Sequence, residues 1–232
     1  MNRLDRAEML DRGLGSPADV AENLAEMWQI NRCLGGFRAL TRHLYPRLAR
    51  LAAAQDFVTL ADLGTGSADM PRMIALWARA RGFRVRVFAV DRAARNLSIA
   101  RGRAARIPEV TLLHAEAGCL PLPAQGVDFV VSSQFLHHLL PRPAVEMLRS
   151  AFTHARAGIV MSDLVRGWLP YFAFKSVQPV FARNALTRHD GALSIRRAYT
   201  PAELRQLAAS AGLTSAAVYA HWPWRMTLVA DK

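Results

Sequence analysis

Residues 58–69, VTLADLGTGSAD, decide the fold of this chain. A short apolar run leads to Asp62 and then to the turn Gly64-Thr65-Gly66, and a helical pattern follows with Pro71 near its first turn. Glycines remove Cβ atoms where a ligand must approach the backbone, and the first turn of a helix offers unpaired N–H groups. The order strand, glycine turn, helix therefore predicts a binding site for a polar cofactor.

Two classes of cofactor compete for such a turn. A nicotinamide or flavin fold needs a small residue at the third position of G-x-G-x-x-G/A, and here that position is Asp69. A carboxylate at that point would repel a pyrophosphate. S-adenosylmethionine instead carries a sulfonium and an ammonium cation, which suit Asp62 and Asp69. The electrostatics therefore favour S-adenosylmethionine as the cofactor.

Strands and helices alternate along the first two thirds of the chain. Strands are predicted over 84–90, 110–115, 127–131 and 158–163, and helices over 70–81, 93–105 and 142–156. This alternation is typical of βαβ units and a parallel sheet, with ligands at the carboxyl ends of the strands. Asp91 ends the second strand, where an acid can accept both ribose hydroxyls.

At this point residues 57–231 resemble the class I S-adenosylmethionine-dependent methyltransferases. The resemblance rests on DLGTGS at 62–67, AEAGCLPLP at 115–123 and the DFVVSS and FLHHL runs at 128–133 and 135–139, which look like the ubiquinone/menaquinone-biosynthesis type. It implies an α/β, Rossmann-like fold with a seven-stranded, mostly parallel sheet and an antiparallel last strand. Two departures, Ala68 for the third motif glycine and Glu116 for an aspartate, leave room for an altered pocket.

The motifs and the resemblance together give the predicted cofactor residues. By the family's pattern Asp91 binds the ribose, Glu116 takes the adenine amino group and Ala117 gives a backbone contact. Asn31 falls on an apolar helical stripe, so its amide is either a satisfied core group or faces the cofactor. The full predicted set is Asn31, Asp62, Gly64, Thr65, Gly66, Asp69, Asp91, Arg92, Glu116, Ala117 and Ser132.

The chain divides into a helical cap over 1–55 and a methyltransferase domain over 56–232. In the cap, Ser16 and Pro17 predict the start of a helix that ends at the glycine pair 35–36. After the fifth strand, residues 164–199 form a predicted lid insertion that Pro170 and Pro179 break up. A hairpin over 215–229 closes the chain.

The lid insertion is rich in aromatic residues, namely Trp168, Tyr171, Phe172, Phe174 and Phe181. Three interpretations stay open: the rings are buried against the domain, they wall a pocket for an aromatic or lipid-like acceptor, or they make shallow membrane contact. The runs at 188–191 and 196–201 are similar to bacterial methyltransferases of type III polyketide and phenolic-lipid pathways.

Histidines are the candidate catalytic groups. A phenol or enol acceptor must lose a proton, and a base that titrates near neutral pH assists this step. His137 lies just past the fourth strand, where one of His137 and His138 is expected to face the pocket. His189 beside Asp190 is either an oriented base or part of a turn. A mechanism by proximity alone, without a base, also stays open.

Composition limits the remaining alternatives. The net charge is +12, but only Lys175 and Lys232 are lysines and the arginines are spread along the chain, so we do not expect a nucleic-acid substrate. No apolar run is long enough to span a membrane, and no signal peptide is evident. Cys33 and Cys119 are expected to be buried free thiols in a reducing cytoplasm, and no metal site is predicted.

The sequence thus predicts a cytoplasmic enzyme that methylates oxygen or carbon of a hydrophobic phenolic, quinone-like or polyketide acceptor. A nucleic-acid or protein methyltransferase and an inactive protein of the same fold are the alternatives.

Overall fold

The computed structural model describes residues 1–232 as eight α-helices, seven strands and one short 3₁₀ turn. The strands are β1 (Val58–Leu63), β2 (Val85–Asp91), β3 (Val110–His114), β4 (Val127–Ser133), β5 (Ala155–Leu164), β6 (Ala217–His221) and β7 (Arg225–Asp231). The helices are α1 (Pro17–Cys33), α2 (Gly36–Ala52), α3 (Asp69–Arg79), α4 (Ala94–Ala104), α5 (Pro141–His154), α6 (Trp168–Phe181), α7 (Ala185–Arg197) and α8 (Pro201–Ser210). The 3₁₀ turn, Leu136–His138, follows β4.

All seven strands form one sheet in the order β3-β2-β1-β4-β5-β7-β6. Strands β1 to β5 are parallel, whereas β7 runs antiparallel to both of its neighbours. The sheet order reverses direction between β1 and β4, which is where open α/β sheets bind ligands. The predicted Rossmann-like fold with an antiparallel last strand is confirmed.

Helix α2 fastens the N-terminal half to the sheet. Its residues Leu40, Leu44 and Leu48 are fully buried and pack in one cluster with Leu60 of β1 and Val160 of β5. This spacing of four residues places all three leucines on one side of the helix. Helix α2 covers one face of the sheet, and α5 and α8 contribute to the apolar cluster on the other face. Both faces of the sheet are therefore covered by helices.

Helix α1 starts as the sequence predicts. The Ser16 hydroxyl accepts from the Asp19 backbone N–H at 3.2 Å, and the Asp19 carboxylate accepts from the Ser16 N–H at 2.9 Å. Residues 1–15, by contrast, form no helix. They are held by α7 instead: the Leu4 N–H donates to the carbonyl of Arg196 at 3.0 Å. The helical part of the predicted cap therefore begins only at α1.

The lid insertion consists of two helices, α6 and α7, as the argument against one long helix expects. The break lies at residues 182–184 and not at the prolines, since Pro170 and Pro179 fall in the first and last turns of α6. The Glu26 carboxylate of α1 accepts the backbone N–H groups of Arg183 and Asn184 there at 2.8 and 3.2 Å. A buried acid therefore fixes the bend between the two helices.

Two further observations concern the surface of the chain. The expectation of buried thiols is wrong: Cys33, the last residue of α1, and Cys119, in the loop after β3, are both exposed and free. The model contains no helix that combines the length and the apolar character needed to cross a membrane.

Candidate functional site

A cavity of about 830 Å³ lies at the carboxyl ends of the parallel strands. The glycine turn after β1, the end of β2 and the 3₁₀ turn after β4 line it, together with α1 and the segment 8–13. Of the predicted cofactor residues, those that line the cavity are Asn31, Asp62, Gly64, Thr65, Gly66, Asp69, Asp91, Arg92, Glu116 and Ala117. The structure thus brings together residues that are up to 86 positions apart in the sequence, from Asn31 to Ala117.

The glycine turn depends on backbone conformations that favour glycine. Gly64 and Gly66 have φ angles of +68° and +57°. A Cβ atom on Gly64 would lie 2.3 Å from Cδ2 of Phe135, so the ring packs directly on the backbone of the turn. Ala68, the departure from the family's glycine pattern, adopts the same left-handed conformation with φ +58°. The backbone path that a glycine favours is therefore kept despite the substitution, at a local conformational cost.

Two buried aspartates end β1 and β2 and face the cavity. The carboxylate of Asp91 accepts the backbone N–H of Gly66 and that of Ala93, both at 2.8 Å, so it ties the glycine turn to β2. Burial raises the pKa of Asp62 to about 7, and the nearby charge of Asp91 adds to the increase. A cationic ligand in the cavity would therefore stabilise the ionised form of Asp62.

The acid at the third motif position does not offer a free charge to the cavity. The carboxylate of Asp69 accepts from Arg72 at 2.9 Å, from Ser67 at 2.5 Å and from Arg103. Its charge is compensated by two guanidinium groups, so the sequence argument that paired it with a cationic cofactor is wrong for this side chain. Its helix position, at the start of α3, favours the carboxylate in any case.

Three other predicted residues differ in exposure. Ser132 does not line the cavity: its hydroxyl donates to the carbonyl of Leu63 at 2.9 Å, inside the sheet. Because side chains alternate along a strand, the next residue, Ser133, faces the cavity instead. At the rim, the exposed side chains of Arg92 and Glu116 approach each other at 3.9 Å.

Asn31 lines the cavity. Its side chain is buried, and its Nδ2 donates to the hydroxyl of Ser133 at 3.3 Å across the strand end. Its Oδ1 has no hydrogen-bond partner in the protein. This oxygen lies against the start of α2, 1.8 Å from where a Cβ atom on Gly36 would stand, so the amide faces the cavity through its Nδ2 side.

The buried pair His137–Asp163 lies on the β4 and β5 side of the cavity. Nδ1 of His137 and Oδ1 of Asp163 are 2.7 Å apart, and the backbone N–H of His137 donates to Oδ2 at 2.9 Å. Although burial alone would raise the pKa of Asp163, the contacts from His137 lower it below its usual value. The ionised carboxylate therefore holds the proton on Nδ1 and leaves Nε2 as the acceptor nitrogen.

Two acids from the N-terminal segment complete the wall. Glu8 is buried, and its Oε1 lies 3.6 Å from Nε2 of His137 and accepts from the hydroxyl of Ser194 at 2.7 Å. Asp11 accepts from Nδ1 of His138 at 2.9 Å. Burial would lower the pKa of His138, but the carboxylates of Glu8 and Asp11 outweigh it and raise that pKa to about 9. His138 is therefore a cation at neutral pH.

His189, the second catalytic candidate, lies outside the cavity lining. Its Nδ1 contacts Oδ1 of Asp190 at 2.7 Å, in the middle of α7 and not in a turn. The carboxylate of Asp190 accepts the backbone N–H groups of Met9 and Leu10 at 2.8 and 3.0 Å. Asp190 therefore anchors the backbone of the N-terminal segment, and His189 is not placed to act as a base in the cavity.

Sequence reasoning missed Glu8, Asp11, Asp163 and Ser133. Asp163 lies at the carboxyl end of a parallel strand, as do Asp62 and Asp91. This position in the sequence could have indicated that it faces the cavity. Glu8 and Asp11 lie in an irregular segment whose approach to the cavity no local pattern encodes.

Residues 60–158 match the family model described as a methyltransferase domain. Over this range the chain is similar to a methyltransferase domain. The matched range runs from β1 to β5 and includes Asp62, Asp91 and His137. No curated protein matches the chain significantly in sequence.

Solved structures share the fold of this chain at low sequence identity. The CurJ carbon methyltransferase is 10% identical, with a TM-score of 0.67 over 96% of this chain and 62% of its own. A methyltransferase from Aquifex aeolicus is 14% identical, with a TM-score of 0.59 over 94% of this chain and 99% of its own. The magnesium protoporphyrin IX methyltransferase from Synechocystis PCC 6803, solved with S-adenosylhomocysteine, is 15% identical with a TM-score of 0.53, over 83% of this chain and 82% of its own.

The cavity fits S-adenosylmethionine, the cofactor of this domain. That molecule offers hydrogen-bond donors in its ammonium group, its ribose hydroxyls and its adenine amino group. The cavity offers acceptors: the unpartnered Oδ1 atom of Asn96 and the carboxylates of Asp62 and Asp91. These acceptors match a ligand rich in donors and positive charge.

The raised pKa of Asp62 gives a pH-dependent stability. The folded state holds a proton on Asp62 up to pH 7 or so, whereas the unfolded chain loses it near the usual aspartate value. Folding stability is therefore lost as the pH rises through this window. We expect Asp62→Asn to be more stable than the wild type, by a margin that grows by about 2 kcal/mol between pH 5 and pH 8.

Denaturant unfolding at the two pH values, without cofactor, measures this margin. Asp128→Asn is the matched control, since contacts with Arg156 and Thr59 lower the pKa of Asp128 although burial opposes them. Its loss of stability should be the same at pH 5 and pH 8. A margin for Asp62→Asn that does not change with pH would contradict the raised pKa.

Proposed function

We propose that the chain transfers the methyl group of S-adenosylmethionine to oxygen or carbon of a hydrophobic small-molecule acceptor of phenolic, quinone-like or polyketide type. One observation carries the proposal: an apolar cavity adjoins the cofactor cavity, and the two share Met27, Gln134 and Ser194 in their walls. A second cavity beside the donor is the place where an acceptor must bind for direct transfer.

The second cavity measures about 260 Å³ and is lined mainly by apolar side chains of α1, α6 and α7. These include Ile30, Leu34, Phe174, Val177 and Ile195. Apolar side chains with few polar groups are typical of sites for hydrophobic ligands. This lining favours a hydrophobic acceptor over a nucleic acid or a protein side chain.

Arg225 is the one charged residue that lines the apolar cavity. Its Nε donates to the carbonyl of Leu34 at 2.9 Å, and its buried Nη1 has no hydrogen-bond partner. Burial lowers the pKa of Arg225 to about 10, which still leaves it charged at neutral pH. An unsatisfied guanidinium favours an acceptor that carries an oxygen, as phenols, quinones and polyketides do.

His137 is the proposed general base. Asp163 orients the ring, so Nε2 accepts the acceptor's proton. The carboxylate of Glu8, at 3.6 Å, then stabilises the imidazolium that forms. The cofactor supplies an electrophilic methyl group on sulfur. The buried walls exclude water, and the pair of cavities aligns the acceptor for in-line displacement.

Donor binding tests the cofactor half of the site. We expect Asp91→Ala to weaken S-adenosylmethionine binding by about tenfold or more, because the variant loses the carboxylate proposed to bind the ribose and the hydrogen bond that holds Gly66. Calorimetric titration of S-adenosylmethionine and S-adenosylhomocysteine measures the affinity.

Glu109→Ala is the control for this titration. Glu109 is also an acid next to the sheet, but it lies before β3 and pairs with Arg79 at 2.6 Å, away from the cavity. Its removal should leave the affinity unchanged. Absence of donor binding to the wild type would overturn the proposal.

Turnover tests the acceptor half. With an alkyl-substituted phenol as acceptor, we expect His137→Asn to lower kcat by about 10²- to 10⁴-fold while donor affinity stays at the wild-type value. Asp163→Asn should lower kcat as well, since it removes the carboxylate that orients the ring. Acceptor-dependent formation of S-adenosylhomocysteine is the assay.

His189→Ala serves as the comparison, because His189 lies outside the cavity and should leave kcat unchanged. A wild-type kcat in His137→Asn would exclude His137 as the base and leave proximity as the mechanism.

A further inference from the structure

Helix α6 has an apolar outer face as well as an apolar inner face. Its inward side chains include Phe174, which is buried. On the outer side Trp168, Leu169, Phe172 and Val180 are 56, 68, 61 and 70% exposed. Large apolar side chains grouped on one exposed helix face are typical of an interaction surface.

The turn between β6 and β7 presents another exposed aromatic. Trp222 is 83% exposed, the highest value among the large apolar residues of the chain. This turn and α6 both line the apolar cavity, through Trp222, Pro223 and Trp224 on one side and Pro170, Ala173 and Phe174 on the other. Both elements thus carry exposed aromatic side chains and form part of the wall of the proposed acceptor site.

Three segments of the chain, which include α6 and the turn between β6 and β7, contain no acidic residue. Aspartate and glutamate are absent from 27–55, 164–189 and 204–230, although the chain has 18 of them. The same segments carry basic residues, among them the exposed Arg32, Arg38, Lys175 and Arg183. Arg32 and Arg38 lie on either side of Gly35 in the sequence. Gly35 packs against the turn between β6 and β7, because a Cβ atom on it would lie 3.0 Å from Cδ of Pro223.

We propose that the outer face of α6 and Trp222 form a docking surface for an anionic lipid bilayer, from which a chain-bearing acceptor enters the apolar cavity. The entry of an acceptor rests on the proposed function, whereas the docking itself does not. Tryptophan and phenylalanine insert at the boundary between headgroups and acyl chains, and basic residues bind anionic headgroups. A second copy of the chain is a poorer occupant, because two faces with an excess of basic residues would repel each other.

Vesicle binding tests the docking surface. The full chain is mixed, without cofactor or acceptor, with vesicles of phosphatidylcholine alone or with about 30% phosphatidylglycerol, and the bound fraction is measured by co-sedimentation. We expect binding to the anionic vesicles that falls with salt, and a blue shift of tryptophan emission. The double variant Trp168→Ser/Phe172→Ser should lower the partition coefficient by about tenfold or more.

The double variant Leu76→Ser/Leu140→Ser is the matched control. Leu76 and Leu140 are exposed apolar residues at 37 and 43%, on α3 and just before α5, and their removal should leave vesicle binding unchanged. Lys175→Glu/Arg183→Glu should abolish the preference for phosphatidylglycerol. The absence of wild-type binding to anionic vesicles, or equal losses in the test and control variants, would overturn the proposal. Binding of the chain to an acidic protein, without binding to vesicles, would overturn it as well.

Calorimetric binding of S-adenosylmethionine to the same variants separates the two proposals. Wild-type donor affinity in Trp168→Ser/Phe172→Ser shows that the variant is folded and that the lost binding belongs to the surface. Vesicle binding by a chain that fails to methylate any acceptor would refute the proposed function and leave the docking surface standing.

Discussion

The site depends on how the protein handles the carboxylates that it buries at one end of its sheet. Parallel strands place their carboxyl ends together, so Asp62, Asp91 and Asp163 converge from β1, β2 and β5. Each is compensated differently: Asp91 by backbone N–H groups, Asp163 by His137, and Asp62 by holding a proton up to a pH of about 7. Asp62 is therefore the acid whose charge no group in the protein compensates, and a cationic cofactor that favours its ionised form would stabilise the folded state.

The N-terminal segment contributes a second constraint. Glu8 and Asp11 bring two negative charges to the histidines, and His138 and Arg197 bring two positive ones. The guanidinium of Arg197 also donates to the carbonyl of His138 at 2.7 Å and to that of Arg6 at 2.8 Å. Displacing the segment would separate Glu8 and Asp11 from the positive charges of His138 and Arg197. Such a displacement is unfavourable, because an unpaired buried charge is costly. Ion pairs and hydrogen bonds thus hold an irregular segment against the site, together with apolar packing of Met9 and Leu10.

The sequence predicted the elements whose signal is local. The glycine turn, the strand ends with acids, the capping of α1 and the terminal hairpin all follow from patterns within about ten residues, and each is present. The same local reasoning could not place Arg103, 34 residues away, beside Asp69 and its near neighbour Arg72, and it failed for the thiols, whose exposure depends on packing. It also placed Ser132 one residue from the correct one, since strand register decides which of two neighbouring serines faces the cavity.

The segment 164–199 shows why a list of aromatic residues does not determine their role. Two interpretations, a buried cap and a pocket wall, hold at once for Phe174, which is buried and lines the apolar cavity. The membrane interpretation concerns other rings of the same helix, such as Trp168 and Phe172, which point to solvent. Side chains three and four positions apart share a face of a helix. One helix with apolar residues on two faces can therefore line a pocket with one face and contact a lipid surface with the other. This arrangement leaves an exposed apolar patch beside exposed basic residues, and repulsion between like charges opposes its self-association.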